Sequence, residues 1–151
     1  MQDDNTYMQR AWEEAKKAGA RDEVPVGAVL VHVRTGEIVS ACGNETKDRS
    51  DPTAHAEILC IRAVCAHERA QRIPDYDLFV TLEPCAMCAA AVSFARLRRI
   101  IFGASDPKMG GILHGGRFFT QTTCHHRPEI VSGLMAEESG LLLKTFFKAR
   151  R

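Results

Sequence analysis

The stretch Leu78-Phe79-Val80-Thr81-Leu82-Glu83-Pro84-Cys85-Ala86-Met87-Cys88 reads as a strand that runs into a helix. Leu78 to Leu82 is short and β-prone, Pro84 stands where a helix starts, and Cys85 to Ala95 is small, apolar and free of breakers. Ile100 to Phe102 supplies a further strand, closed by Gly103. Tandem strand and helix units of this kind favour parallel pairing, with helices covering the faces of a sheet. The fold class is therefore α/β.

Upstream, Val24 to Val31 is almost wholly apolar, Thr35-Gly36 marks a turn, and Ile38 to Ala41 resumes the apolar pattern. These predict a hairpin with one strand buried on both faces. Tyr7, Met8, Ala11, Trp12 and Ala15 recur at helical spacing, with Asn5 or Thr6 placed to cap and Gly19 to stop. Ala54 to Ala66 carries Ala56, Leu59, Cys60, Ala63 and Val64 on one helical face, which makes Cys60 and Cys65 core residues. Residues 107–126 predict a long, partly irregular loop, and Ile130 to Ser132 a last strand. Leu134, Leu141, Leu142, Phe146 and Phe147 then place a closing helix.

At 151 residues, with 45% hydrophobic and 26% charged residues, the chain has room for one domain with a real core. Disorder and fibrous folds are excluded. No apolar stretch approaches the roughly 18 residues of a membrane helix, and Met1-Gln2-Asp3-Asp4 lacks the pattern of a signal peptide, so a cytoplasmic protein is expected. Its six cysteines then suit metal binding or burial better than disulfides. A net charge of +1 gives no global pull on nucleic acid, yet Lys144, Lys148, Arg150 and Arg151 leave the C-terminus locally basic.

Cys85 and Cys88 lie three apart at a helix start, where the positive helix end favours the thiolates that bind metals. A bare C-x-x-C also fits a redox pair, and the partner that separates the readings is His55-Ala56-Glu57, about thirty residues earlier at another helix start. One imidazole and two thiolates suit zinc, and three protein ligands leave a fourth position for water, which is a catalytic pattern. Glu57 is placed to move protons, provided the site is wedged at the helix end so that residues two apart both reach it.

His55 and Glu57 with Pro84, Cys85 and Cys88 match the H-x-E and P-C-x-x-C signature of zinc nucleobase deaminases. The resemblance extends to Glu23-Val24-Pro25-Val26-Gly27-Ala28-Val29-Leu30, Gly43-Asn44, the run from Asp51 to Ile58, and Phe102-Gly103-Ala104-Ser105-Asp106. Together with Phe146-Phe147-Lys148-Ala149-Arg150-Arg151, these blocks resemble the bacterial tRNA adenosine deaminases over nearly the whole chain. Gly110 to Phe119 departs from them in being richer in glycine.

The resemblance implies a three-layer α/β/α fold with a five-stranded mixed sheet, and a homodimer. It also implies hydrolytic deamination of the wobble adenosine to inosine in an arginine tRNA anticodon, with release of ammonia. By position, His55, Cys85 and Cys88 would hold one zinc per chain, Glu57 would shuttle protons, and Asn44 would hydrogen-bond the flipped nucleoside. Asp106 and Lys108 would grip the anticodon stem-loop, beside Phe146, Phe147 and Arg150 of the last helix. Without the resemblance these five would read as an exposed acid, a solvated lysine, two core aromatics and a tail arginine. His125 and His126 read as loop residues and not as ligands, and Cys42 and Cys124 receive no function. The rival readings are a zinc deaminase of free bases or nucleosides and a non-catalytic zinc module. The basic closing helix opposes the first; Glu57 and the lack of a fourth ligand oppose the second.

Overall fold

The structure, a computed structural model, describes residues 2–150. Its elements in chain order are α1 (Asp4–Ala20), β1 (Gly27–His32), β2 (Ile38–Gly43), α2 (Ala56–Glu68), β3 (Tyr76–Leu82), α3 (Ala86–Ala95), β4 (Arg99–Ala104), β5 (Glu129–Ser132) and α4 (Ala136–Lys148). The five strands form one mixed sheet in the order β2-β1-β3-β4-β5. β1 pairs antiparallel with β2 and β3, whereas β3, β4 and β5 run parallel. That parallel half is the one the strand and helix units around Cys85 predict.

Alternation along the central strands makes two cores. Ala28, Leu30, Leu78, Val80, Ile100 and Phe102 face α2 and α3, meeting Cys60, Val64 and Val92. Val29, Val31, Phe79 and Ile101 face the other way, onto Tyr7, Met8 and Ala11 of α1. α4 packs on β4 and touches α1, completing the second helical layer. The fold is the expected three-layer α/β/α arrangement, and β1 is buried on both faces as its apolar run requires.

Several local expectations are corrected. Asp3, not Asn5 or Thr6, caps α1: its carboxylate accepts from the Thr6 backbone N–H and hydroxyl, both at 2.9 Å. Gly19 does not stop the helix, which runs on to Ala20 and ends where Asp22 turns left-handed. β1 begins at Gly27 and not at Val24, because Pro25 has no N–H to give and Val26 N–H closes a tight turn onto the Val24 carbonyl. On α2, Ala63 faces solvent and Cys65 is only half-buried, while Cys60 is fully enclosed with its thiol on the Ala28 carbonyl. On α4, Leu141 points outward, and the apolar contact with the core comes from Leu143.

Candidate active site

Two helix starts converge on one point at the same end of the sheet. Asp51-Pro52-Thr53 makes a side-chain turn, Asp51 accepting from the Thr53 N–H at 2.9 Å and its hydroxyl at 2.7 Å, and this turn delivers His55 to the N-cap of α2. Cys85 occupies the N-cap of α3. Neither side chain caps its own helix, a task ordinarily given to Ser, Thr, Asp or Asn. Both turn instead towards each other. His55 Nδ1 lies 3.6 Å from Cys85 Sγ and 3.4 Å from Cys88 Sγ, and the three donor atoms lie within 4.8 Å of one another.

A tetrahedral zinc with nitrogen at about 2.05 Å and sulfur at about 2.3 Å sets nitrogen–sulfur separations near 3.5 Å, so these donors fit the ion in kind and in spacing. The electrostatics agree. Cys85 is pulled down to about 4 by its hydrogen bond with Cys88, with His55 adding to the effect; the same bond, together with burial, holds the Cys88 thiol up. His55 is raised by its contact with Cys85 against the opposing effect of burial.

Glu57 is the second residue of α2 and is buried, and that burial pushes its carboxyl up. The wedge that residues two apart in a helix demand is therefore present, because His55 is still extended backbone at the helix end while Glu57 is already helical.

A cleft of about 980 Å³ opens over this cluster, lined among others by Asn44, His55, Glu57, Cys85, Asp106 and Lys108, with Phe147 from α4 and Arg150, which lies just past the end of that helix and not within it. Cys88 lies behind that surface, fully enclosed. Phe146 is the candidate substrate contact that does not reach the cleft. It lines an adjoining cavity of about 410 Å³ with Asp22, Lys47 and Arg150. Arg150 stacks over the Phe146 ring at 3.4 Å and pairs with Asp22, and Arg151 lies outside the described residues. Asn44 is nearly buried, its amide 3.4 Å from the Thr46 hydroxyl. Asp106 is occupied locally, accepting the Lys108 and Met109 N–H groups at 3.2 and 3.0 Å. His126 binds the Leu97 carbonyl at 2.6 Å, as expected of a loop residue rather than a ligand.

Two contributors were not singled out from the sequence. Met109 forms part of the cleft wall although it is largely exposed. Glu83, enclosed between β3 and Pro84, accepts from the loop that follows β4. The signal for Glu83 was an acid ending an apolar strand with no basic residue near it in sequence. Three of the four glycines that set residues 110–119 apart have a local cause, and Gly116, with open space around it, has none. A Cβ on Gly110 would meet the Glu83 carboxylate at 2.5 Å, one on Gly111 would meet the Ala86 nitrogen at 2.6 Å, and Gly115 has φ +57°.

Residues 1–104 match the model of the cytidine and deoxycytidylate deaminase zinc-binding region. A tRNA-specific adenosine deaminase of Agrobacterium fabrum is 52% identical over 145 residues, spanning 96% of this chain and 94% of its own. This chain belongs to the tRNA-specific adenosine deaminases. Another tRNA-specific adenosine deaminase, from Bacillus subtilis, is 43% identical and matches all of this chain and 92% of its own length. A solved structure from studies of A-to-I editing by tRNA:A34 deaminases superposes with a TM-score of 0.89 at 53% identity, covering 91% of this chain and 99% of that one. A guanine deaminase from Nitrosomonas europaea superposes at 0.84 with 18% identity, which reflects the shared cytidine deaminase-like fold alone. As a deaminase, the chain is an enzyme in which His55, Cys85 and the buried Glu57 line one cleft and Cys88 stands directly behind them.

Proposed function

We propose that this deaminase converts the wobble adenosine of a tRNA anticodon, in an arginine tRNA, to inosine, and that residues 1–151 form one zinc-dependent catalytic domain. The observation that carries the chemistry is the buried Glu57 beside the converging His55, Cys85 and Cys88 donors. Relatives at 52% and 43% identity over nearly the full chain support the RNA substrate.

In this reading His55 Nδ1 and the sulfurs of Cys85 and Cys88 hold one zinc per chain. The ion, when bound, supplies Lewis-acid activation of water near neutral pH. Glu57 takes one proton from the attacking water and delivers it to ring N1, then takes the second from the resulting C6 hydroxyl and delivers it to the departing amino group. The C6–N6 bond breaks, the water oxygen stays on C6, and ammonia leaves. Asn44 hydrogen-bonds the flipped nucleoside. Asp106, Lys108, Phe147 and Arg150 flank the stem-loop around it, and Phe146 backs Arg150.

The adenosine is accessible because a base in an RNA loop is already partly unstacked, so extruding it costs little. Cytoplasmic localisation and a homodimer belong to the same reading. Among the described residues no helix is long and apolar enough to cross a membrane, and α3 leaves Phe94 74% exposed on its outer side. Sedimentation of the purified protein tests the homodimer. Incubation with free bases, nucleosides and an anticodon stem-loop tests the activity. Inosine in the stem-loop is the expected product. Efficient turnover of a free base with the stem-loop untouched would replace this reading with a small-molecule deaminase.

A further inference from the structure

We propose that Glu83, which takes no part in the reaction above, is a positioning residue: its carboxylate clasps the loop 105–114 and so sets affinity for the RNA. The proposal rests on the stem-loop reading of the site. The Glu83 side chain is fully enclosed, and five N–H groups of one loop converge on its two oxygens. Oε1 accepts from the backbone of Asp106 at 2.9 Å and faces His114 Nδ1 at 2.8 Å. Oε2 accepts from the backbone of Ile112, Leu113 and His114 at 3.1, 2.9 and 3.2 Å. A carboxylate has roughly four acceptor positions and no donor, so it suits a set made only of donors. Burying a charge is costly unless it is fully hydrogen-bonded, and here the loop itself supplies the bonds.

The position of this clasp gives it a function. One end of the loop, Ser105 to Met109, forms a wall of the cleft and carries Asp106 and Lys108. Its other end is tied to the Cys85 turn, because Gly111 N–H donates to the Pro84 carbonyl at 2.8 Å and Gly110 pairs with Cys85. Gly110 admits no Cβ, which would meet the Asp106 carbonyl of the loop and the Glu83 carboxylate, both at 2.5 Å. Glu57 and His55, by contrast, are set by α2, and Cys85 is also anchored to α3 by the Ala89 N–H at 2.9 Å, contacts in which Glu83 has no part. Loosening the clasp should therefore disturb the wall that receives the RNA while leaving the reacting groups in place.

Glu83→Gln keeps the volume but turns one oxygen into a donor facing donors. In this variant, KM for the stem-loop should rise about tenfold or more while kcat stays within about threefold and zinc content is unchanged. Amide exchange at 112–114 should accelerate about tenfold or more. His114→Phe removes one donor of the five and should produce a smaller rise in KM. Gly110→Ala should displace the loop with Glu83 intact and raise KM. If Glu83→Gln does not fold, these two variants carry the same readouts. Unchanged exchange at 112–114, an unchanged KM, or a loss confined to kcat and zinc would each overturn the proposal. Should the wild-type protein not act on the stem-loop, the functional reading fails, and the exchange measurement still decides whether the clasp exists.

Discussion

Glu57 and the three donors show what a single residue type contributes. General acid–base catalysis by a positioned carboxylate contributes roughly 10²- to 10⁴-fold, so Glu57→Ala should lower kcat by about that factor. Zinc and fold should be retained, since the proposed ligands are elsewhere, and elemental analysis beside single-turnover kinetics checks both. Glu57→Gln should behave alike, because an amide cannot relay a proton. The Cys85→Ala, Cys88→Ala double variant should lose the metal; stoichiometric zinc in that variant would rule out this ligand set. These four residues were legible in the sequence because metal and proton chemistry need particular side chains at particular spacings. Glu83 was not, because its partners are mostly backbone N–H groups, which look alike in every sequence. Arg150 was recognised as basic, but its pairing with Asp22 joins residues far apart in the chain and no local pattern announces it.

At the scale of elements, periodicity revealed strands and helices where burial is one-sided or complete, and it failed at their ends. The cap of α1 and the start of β1 are decided by which side-chain oxygen reaches an amide and which nitrogen lacks a proton, each a matter of one residue. Leu141 and Ala63 show the other weakness, since apolar residues at helical spacing remain exposed where no layer covers them. The packing of α1 on β1 yields a sharp prediction. A Cβ on Gly27 would lie 2.0 Å from the Ala11 carbonyl oxygen and 2.4 Å from the Ala15 nitrogen, both backbone atoms of a buried helix face. Overpacking into rigid surroundings costs roughly 1–3 kcal/mol and at times more, so Gly27→Ala should destabilise by about 3 kcal/mol or above. Urea denaturation measures it, and a loss below about 1 kcal/mol would mean that α1 can slide away from the sheet without penalty.

For the molecule as a whole, near-neutral net charge means that RNA affinity must come from local basic groups placed around one cleft. Each phosphate neutralised releases counterions, which on single strands gives a slope of about −0.7 in log affinity against log salt per contact. Stem-loop binding should therefore weaken steadily with salt, and deleting residues 148–151 should weaken it further and flatten the slope by about one to two contacts' worth. Zinc content and thermal stability should be unaffected, because Arg150 is exposed and its ion pair with Asp22 lies at the surface. That ion pair supplies a second explanation, since Arg150 could act by tethering α4 to the turn after α1 and not by touching phosphate. The two separate under Asp22→Ala. If Arg150 serves the RNA, removing Asp22 leaves the salt slope intact, because the guanidinium is kept and its competitor is gone. If it serves as a tether, Asp22→Ala weakens binding as much as the deletion does while the salt slope stays that of the wild type in both. Binding measured by fluorescence anisotropy at four or more salt concentrations, across the wild type and both variants, distinguishes the outcomes.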